Sequence, residues 1–348
     1  MLALIYFILI LGLIVFIHEL GHFIFAKKAG VHCYEFSLGM GPKIYSFRRK
    51  NDETTYSIRA FPIGGFVQMA GEDIEEEEDI PKNKQMQSKT IWQRFVIVLA
   101  GVFNNFVLGF VLLFLMALIY GSVSQKPVVT SVDSKYNAYK VNVREGDTIL
   151  KVNGKRTRTL DDVILEITLT KQGDAIKLDL VDKDNNKKSV SVLPTKVENE
   201  DGSESYIYGL GWGGEPEKGL ISSFKYATQK FSSLFRSMGK IIGSLFTGRL
   251  GLDSLSGPVG IYQVVGEQRK AGFENIIYLT AYISINVGFV NLIPFPAFDG
   301  GRALFLIIEK IRKKPVKREV ENTIHSIGFV LLMILVVVIT IKDVIKLF

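Results

Sequence analysis

The sequence predicts a polytopic α-helical membrane protein: four transmembrane helices, a soluble α+β domain inserted between the second and third, and a membrane-associated β-hairpin region. Three observations predict it. Four apolar stretches, Leu2 to Phe25, Phe95 to Tyr120, Ile276 to Phe298 and Ile324 to Ile341, approach or exceed the roughly 20 residues that cross a hydrocarbon core of about 30 Å. The basic residues behind the net charge of +7 gather in two connections. From Lys126 to Lys196 the composition becomes that of a soluble domain.

The first span, about residues 2–25, has neither the basic n-region nor the small-residue cleavage site of a signal peptide, so it is expected to stay in the mature chain. A β-rich loop, 33–90, follows it. There Tyr34 to Phe47 and Thr54 to Met69 alternate apolar and polar residues around glycines, as short strands do. The run Phe61 to Phe66 sets a turn inside an apolar stretch, whose backbone must be buried against helices or water if it approaches the membrane. Glu72 to Asp79 reads as a solvated acidic loop.

Lys27, Lys28, Lys43, Arg48, Arg49, Lys50 and Arg59 follow the first span, and Lys310, Arg312, Lys313, Lys314, Lys317 and Arg318 fill the basic loop expected at 309–320. The positive-inside rule makes both connections cytoplasmic, which leaves the termini and the segment from Gly121 to about Asn275 outside. Loops touching anionic lipid account for the charge, and nucleic acid is not expected as a partner. Cys33 is the sole cysteine, so no intramolecular disulfide forms, and it reads as an apolar filler.

In the insert, taken as 121–200, strand-like runs at Pro127 to Val132, Thr148 to Val152, Ile176 to Val181 and Ser189 to Leu193 surround one helical stretch, Leu160 to Thr168. The linker, 201–270, carries Phe224, Phe231, Leu234, Phe235, Met238, Ile241 and Ile242 at helical spacing with interleaved Lys and Arg. That pattern predicts an amphipathic helix lying in the membrane interface, with a helix packed on the soluble domain as the second reading. The C-terminal half, 271–348, holds the third and fourth spans, about 276–298 and 324–341.

The chemistry concentrates in His18, Glu19, Leu20, Gly21 and His22. Histidines at i and i+4 of a helix project from one face about 5–6 Å apart, close enough to share a metal ion. Glu19 beside them can take a proton from an activated water and pass it to a leaving amine. Ionisable groups at membrane depth cost about 2.5–3.5 kcal/mol each when fully charged, so they demand a partner, and a dication supplies one. Hydrolytic zinc has three protein ligands and an open position. His32 and His325 read as boundary residues. Asp299 is the better third ligand: Pro294, Pro296, Gly300 and Gly301 break the third span and let a carboxylate turn back into the membrane.

His18-Glu-Leu-Gly-His22 in the first span and the run Asn291 to Gly301 after the third resemble the site-2 protease family of intramembrane zinc metalloproteases, peptidase family M50. Gly39 to Pro42, Phe61 to Val67, Ala100, Gly101 and Asn105, and Ser256 to Ile261 are further landmarks, while Val102 stands where the family usually has proline. Arg144 to Lys155 joins a Gly-Asp turn, a strand and an Asn-Gly turn and resembles a PDZ domain, as in the bacterial RseP-type branch; Asp133 to Val143 departs from the PDZ pattern.

The resemblance implies Zn²⁺ bound by His18, His22 and Asp299, Glu19 as catalytic base, and Asn286 and Asn291 near substrate. It implies a hairpin at Phe61 to Val67, with Phe61, Gly64, Gly65 and Phe66 pairing with an unwound substrate. The expected activity is an endopeptidase of the cell membrane cutting single-pass membrane proteins, such as anti-sigma factors or remnant signal peptides, near the cytoplasmic side. The PDZ-like domain would lie outside the cell, either binding a peptide end or excluding bulky substrates. A catalytically inactive membrane-anchored PDZ scaffold and a zinc transporter are the competing classes. An intact Glu19 argues against the first, and the scarcity of polar residues in the second and fourth spans against the other.

Overall fold

Helix α1 (Leu2–Lys28) runs unbroken through the first apolar stretch, since no proline interrupts it, and ends on Lys27 and Lys28, whose charge suits a helix C-terminus. The computed structural model describes residues 2–72, 80–198, 204–251 and 254–346, with Pro62 and Ile63 described by backbone alone. The acidic run beyond Glu72 lies outside the described residues. After α1 come β1 (Cys33–Arg48), β2 (Thr55–Met69) and α2 (Ile91–Tyr120). Next are β3 (Ser131–Val132), α3 (Asn137–Lys140), β4 (Thr148–Val152), β5 (Lys155–Arg156), α4 (Leu160–Thr168), β6 (Ile176–Val181) and β7 (Lys187–Val192). Then β8 (Thr195–Glu198), β9 (Glu204–Ile207), β10 (Leu210–Gly211) and α5 (Leu220–Phe246) lead to α6 (Pro258–Ala271), α7 (Phe273–Leu292), α8 (Asp299–Arg312) and α9 (Arg318–Ile345).

The chain divides into two units, one formed by Met1–Leu112 with Leu252–Phe348 and the other by Leu113–Gly251. Four of the described helices, α1, α2, α7 and α9, are long and apolar enough to cross a membrane. Of α9 only Gly328, Ile339 and Asp343 are buried, and its exposed Ile327, Phe329, Val330 and Leu331 suit contact with lipid.

In the first unit α1 and α2 cross at backbone contact. A Cβ on Gly21 would stand 2.4 Å from the Ala100 carbonyl oxygen, so the glycine between the two histidines makes room for α2. The N-terminal half of α1 packs Phe7, Ile10 and Ile14 against Val265 of α6 and Ile276, Leu279 and Ile283 of α7. Helix α6 is tied to the far end of α9, where buried Asp343 accepts hydrogen bonds from the backbone N–H groups of Gly257 (2.7 Å) and Gly260 (2.9 Å). This satisfies donors that a helix start leaves open.

Strands β1 and β2 fold back on themselves: Glu35–Leu38 lies opposite both Thr55–Ile58 and Gly65–Gln68. Buried Glu35 fixes the register through Arg59 (2.8 Å), Lys43 (2.7 Å) and Ser57. Beyond α1, His32 is more than a boundary residue: it is buried, and its Nδ1 stands 3.0 Å from Oε2 of Glu53, a side chain that Lys27 contacts through Oε1 and Lys84 through Oε2.

Three expectations about the C-terminal half are corrected. The third span stops at Leu292 rather than Phe298, because Ile293 precedes a proline and is driven to an extended backbone, ψ 136°. The basic connection 309–320 is helical as far as Arg312. Helix α8 buries Ala303 and Leu306, and Lys313 ends it in the left-handed region at φ 54°. Gly300 and Gly301 do not break a helix. They sit in the first turn of α8, where Cβ atoms would lie 2.3 Å from the carbonyl oxygens of Leu292 and Phe295.

The second unit carries an antiparallel sheet in the order β5-β4-β6-β7 over a core of Ile149, Val152, Val163, Ile176, Leu178 and Leu180. Helix α4 starts on a capping box between Thr159 and Asp162. Helix α5 does not stand apart in a linker. Its polar face docks on α4, with Lys230 2.6 Å from Asp161, Arg236 3.3 Å from Asp162 and Lys240 2.9 Å from Glu166. This packing agrees with the second reading, a helix on the soluble domain, because Asp162 and Glu166 of α4 are buried and need cations.

Burial by itself raises the Asp162 pKa, but the Arg158 N–H and the charges of Lys240 and Arg236 outweigh it and hold the carboxyl below its ordinary value. A carboxyl lowered in the fold stabilises fully above the unfolded value of about 3.9 and loses that contribution as pH falls through the folded value. Hydrogen exchange should therefore show α5 amides opening faster below about pH 3.9, with Asp162→Asn producing the same opening at neutral pH.

Candidate metal centre

Helical geometry puts His18 and His22 on one face of α1, with ring centroids 4.8 Å apart. Asp299 comes to them from the first residue of α8, where a carboxylate also complements the helix dipole. Its Oδ2 stands 3.1 Å from His18 Nε2 and 3.5 Å from His22 Nε2, and the two Nε2 atoms are 3.2 Å apart. The three side chains form a group that can hold a metal ion.

The chemistry of the donors tests the fit. His22 Nδ1–H donates to the Ile97 carbonyl at 2.9 Å, which in the neutral ring leaves a lone pair on Nε2. Asp299 Oδ2 is buried and accepts no hydrogen bond among the described residues. Lone pairs facing one another in a buried site require a cation. Zinc bonds of about 2.0–2.2 Å at tetrahedral angles set donors about 3.3–3.6 Å apart; the observed 3.1, 3.2 and 3.5 Å lie within a few tenths of an ångström of that range, and the donor set fits zinc.

The turn presenting Asp299 is held from α9. Ala297 adopts φ 82°, a left-handed conformation that costs a non-glycine residue energy, and its N–H donates to His325 Nδ1 at 3.0 Å. Gly328 lets α9 touch the turn, since a Cβ there would lie 2.3 Å from Pro296 Cβ. His325, read from sequence as a boundary residue, therefore braces the segment before Asp299.

A cavity of about 670 Å³ contains the triad and is lined also by Glu19, Phe66, Asn291 and Arg302. Gly65 lies against Glu19: a Cβ on it would stand 3.4 Å from Glu19 Cγ. Three expected substrate residues lie elsewhere. Phe61 is 63% exposed and its ring covers Gly41, Gly64 abuts Met40, and Asn286 does not line the cavity. Residues that sequence reasoning left without a role include Gly101, whose missing Cβ clears space 2.4 Å from His22 Nε2, and Asn105, 3.1 Å from His18 Nδ1. Both were visible only as motif landmarks, because the contacts join helices far apart in the chain.

The family model for peptidase family M50 matches residues 6–335. This chain belongs to peptidase family M50. Among its M50 relatives, the regulator of sigma-W protease RasP of Bacillus subtilis is 34% identical over 98% of each chain. The zinc metalloprotease RasP of Bacillus licheniformis is likewise 34% identical over 98% of each chain, and that of Geobacillus kaustophilus 32% over 99% of this chain and 98% of its own. The M50 match spans both units, and the four apolar helices agree with a membrane location.

Proposed function

We propose that this M50 protein is an intramembrane zinc metalloendopeptidase that cuts single-pass membrane proteins near the cytoplasmic face. The observation that carries the reading is the convergence of His18, His22 and Asp299 beside Glu19 in one cavity. Zinc held by those three residues supplies Lewis-acid activation of water and of the scissile carbonyl. Glu19 takes a proton from the attacking water as the C–O bond forms and delivers it to the amide nitrogen as the C–N bond breaks. The Asn291 side-chain amide lines the cavity and is assigned as the donor to the developing oxyanion.

Among the described residues, Gly65–Met69 of β2 pairs along one edge only, with β1, while Phe66, Val67 and Met69 line the cavity. An extended substrate segment adding to the other edge satisfies backbone groups that a dry site would leave unpaired. The basic residues after α1 and after α8 support a cytoplasmic site, with the termini and the second unit outside. The second unit is PDZ-like, and it either takes a peptide end or restricts access to trimmed substrates. A B. subtilis relative named for sigma-W regulation supports anti-sigma-factor-type substrates, and remnant signal peptides have the same single-span form.

The test is cleavage of a tagged single-span substrate in proteoliposomes. Stripping divalent metal with a chelator should abolish cutting, and zinc should restore it, with product ends mapping to the cytoplasmic half of the span. Cleavage that survives metal removal would refute the assignment.

A further inference from the structure

The two ligand histidines are oriented by different partners, and one of them has its proton partner facing the wrong way. His22 Nδ1–H points at a backbone carbonyl, that of Ile97, which no side-chain substitution removes. His18 Nδ1 meets the amide nitrogen of Asn105 at 3.1 Å. An N–H donor there would force the His18 proton onto Nε2, the atom aimed at Asp299 and His22. The Asn105 Oδ1 atom is meanwhile buried without a hydrogen bond among the described residues, and the residue is 0% exposed. A buried amide oxygen without a donor is destabilising, and so is a metal ligand protonated at its ligating atom.

One rotation resolves both. A half-turn about the Asn105 Cβ–Cγ bond exchanges amide oxygen and nitrogen, which are nearly equal in shape. Oδ1 then accepts from His18 Nδ1–H, and Nε2 presents its lone pair to the ion. The main chain carrying the amide is pinned from behind, since the Ser284 hydroxyl donates to the Asn105 carbonyl at 2.8 Å.

We propose that Asn105 is the positioning residue of this metal centre, its side-chain carbonyl holding His18 in the tautomer that binds zinc. The proposal rests on the zinc-protease reading above. Outer partners of ligating histidines are worth about 10–100-fold in metal affinity. His22 carries its acceptor in the backbone, so the dependence falls on His18 alone.

The test measures zinc affinity of the detergent-solubilised full chain by competition with a chromophoric chelator, together with the cobalt(II) absorption spectrum. Asn105→Leu keeps the volume and removes the acceptor; Asn105→Asp keeps an acceptor oxygen in either orientation. Leu should weaken zinc binding about 10–100-fold and alter the cobalt bands, while Asp retains parental affinity and spectrum. Parental affinity in the Leu variant would overturn the proposal. So would equal weakening in both variants, since the amide would then matter for packing. A parent chain that binds no zinc at all would sink the site reading, and this inference with it.

Discussion

Glu19→Gln should retain zinc and lose cleavage by roughly 10²–10⁴-fold, the usual contribution of a positioned general base. Glu19 stands outside the His18, His22 and Asp299 donor group yet lines the same cavity, so its removal leaves the donors in place. Glutamine fills the same volume and cannot take the proton that the attacking water must lose. Asp299→Ala should fail differently, losing zinc and cleavage together, because two histidines alone leave a hydrolytic site one protein ligand short. Metal content by mass spectrometry and initial rates in proteoliposomes separate the two. A Gln variant cutting within a few-fold of the parent would remove Glu19 from the mechanism.

Gly101→Ala should abolish zinc binding while leaving the fold nearly as stable. An added methyl at this position would stand 2.4 Å from His22 Nε2 and 2.8 Å from His18 Cε1, closer than real side chains approach. Either both rings turn away or α2 recedes from α1. Displacements of about 1 Å at a reacting centre cost on the order of 10²-fold, and here the displaced atoms are the ligands themselves. Alanine nevertheless favours a helix over glycine by about 1 kcal/mol, which offsets part of an overpacking cost of about 1–3 kcal/mol, so the thermal unfolding temperature in detergent should fall only slightly. That combination distinguishes a cleared metal pocket from general damage. Undiminished zinc affinity would show that the rings do not occupy the space Gly101 leaves open.

These expectations draw unequally on sequence and structure. The histidine pair was legible because both members ride one helix, whose periodicity fixes their face. The strands β4 and β6 and the helix α4 were legible from composition and turn residues nearby. The end of the third span was misjudged because apolar content continues through Phe295 and Phe298, whereas Pro294 acts on the backbone of the residue before it. The roles of Gly300 and Gly301 were misread for a related reason: the carbonyls they accommodate belong to the chain folding back over them. Helix α5 showed its apolar stripe plainly, but not the acids of α4 that claim its lysines and arginine.

By itself the sequence determined the four apolar stretches, the spacing of the two histidines and the presence of an acidic residue after a broken helix. Those properties depend on hydropathy and helix periodicity, which act over a few turns of chain. Only the tertiary structure decided that Asp299 opens a new helix facing the histidines, that Ile97 and Asn105 address their outer nitrogens, and that Gly101 makes room for the rings. Each of these is a meeting of segments distant in the chain, where a few tenths of an ångström decide whether atoms bond or collide, and local pattern carries no record of such distances.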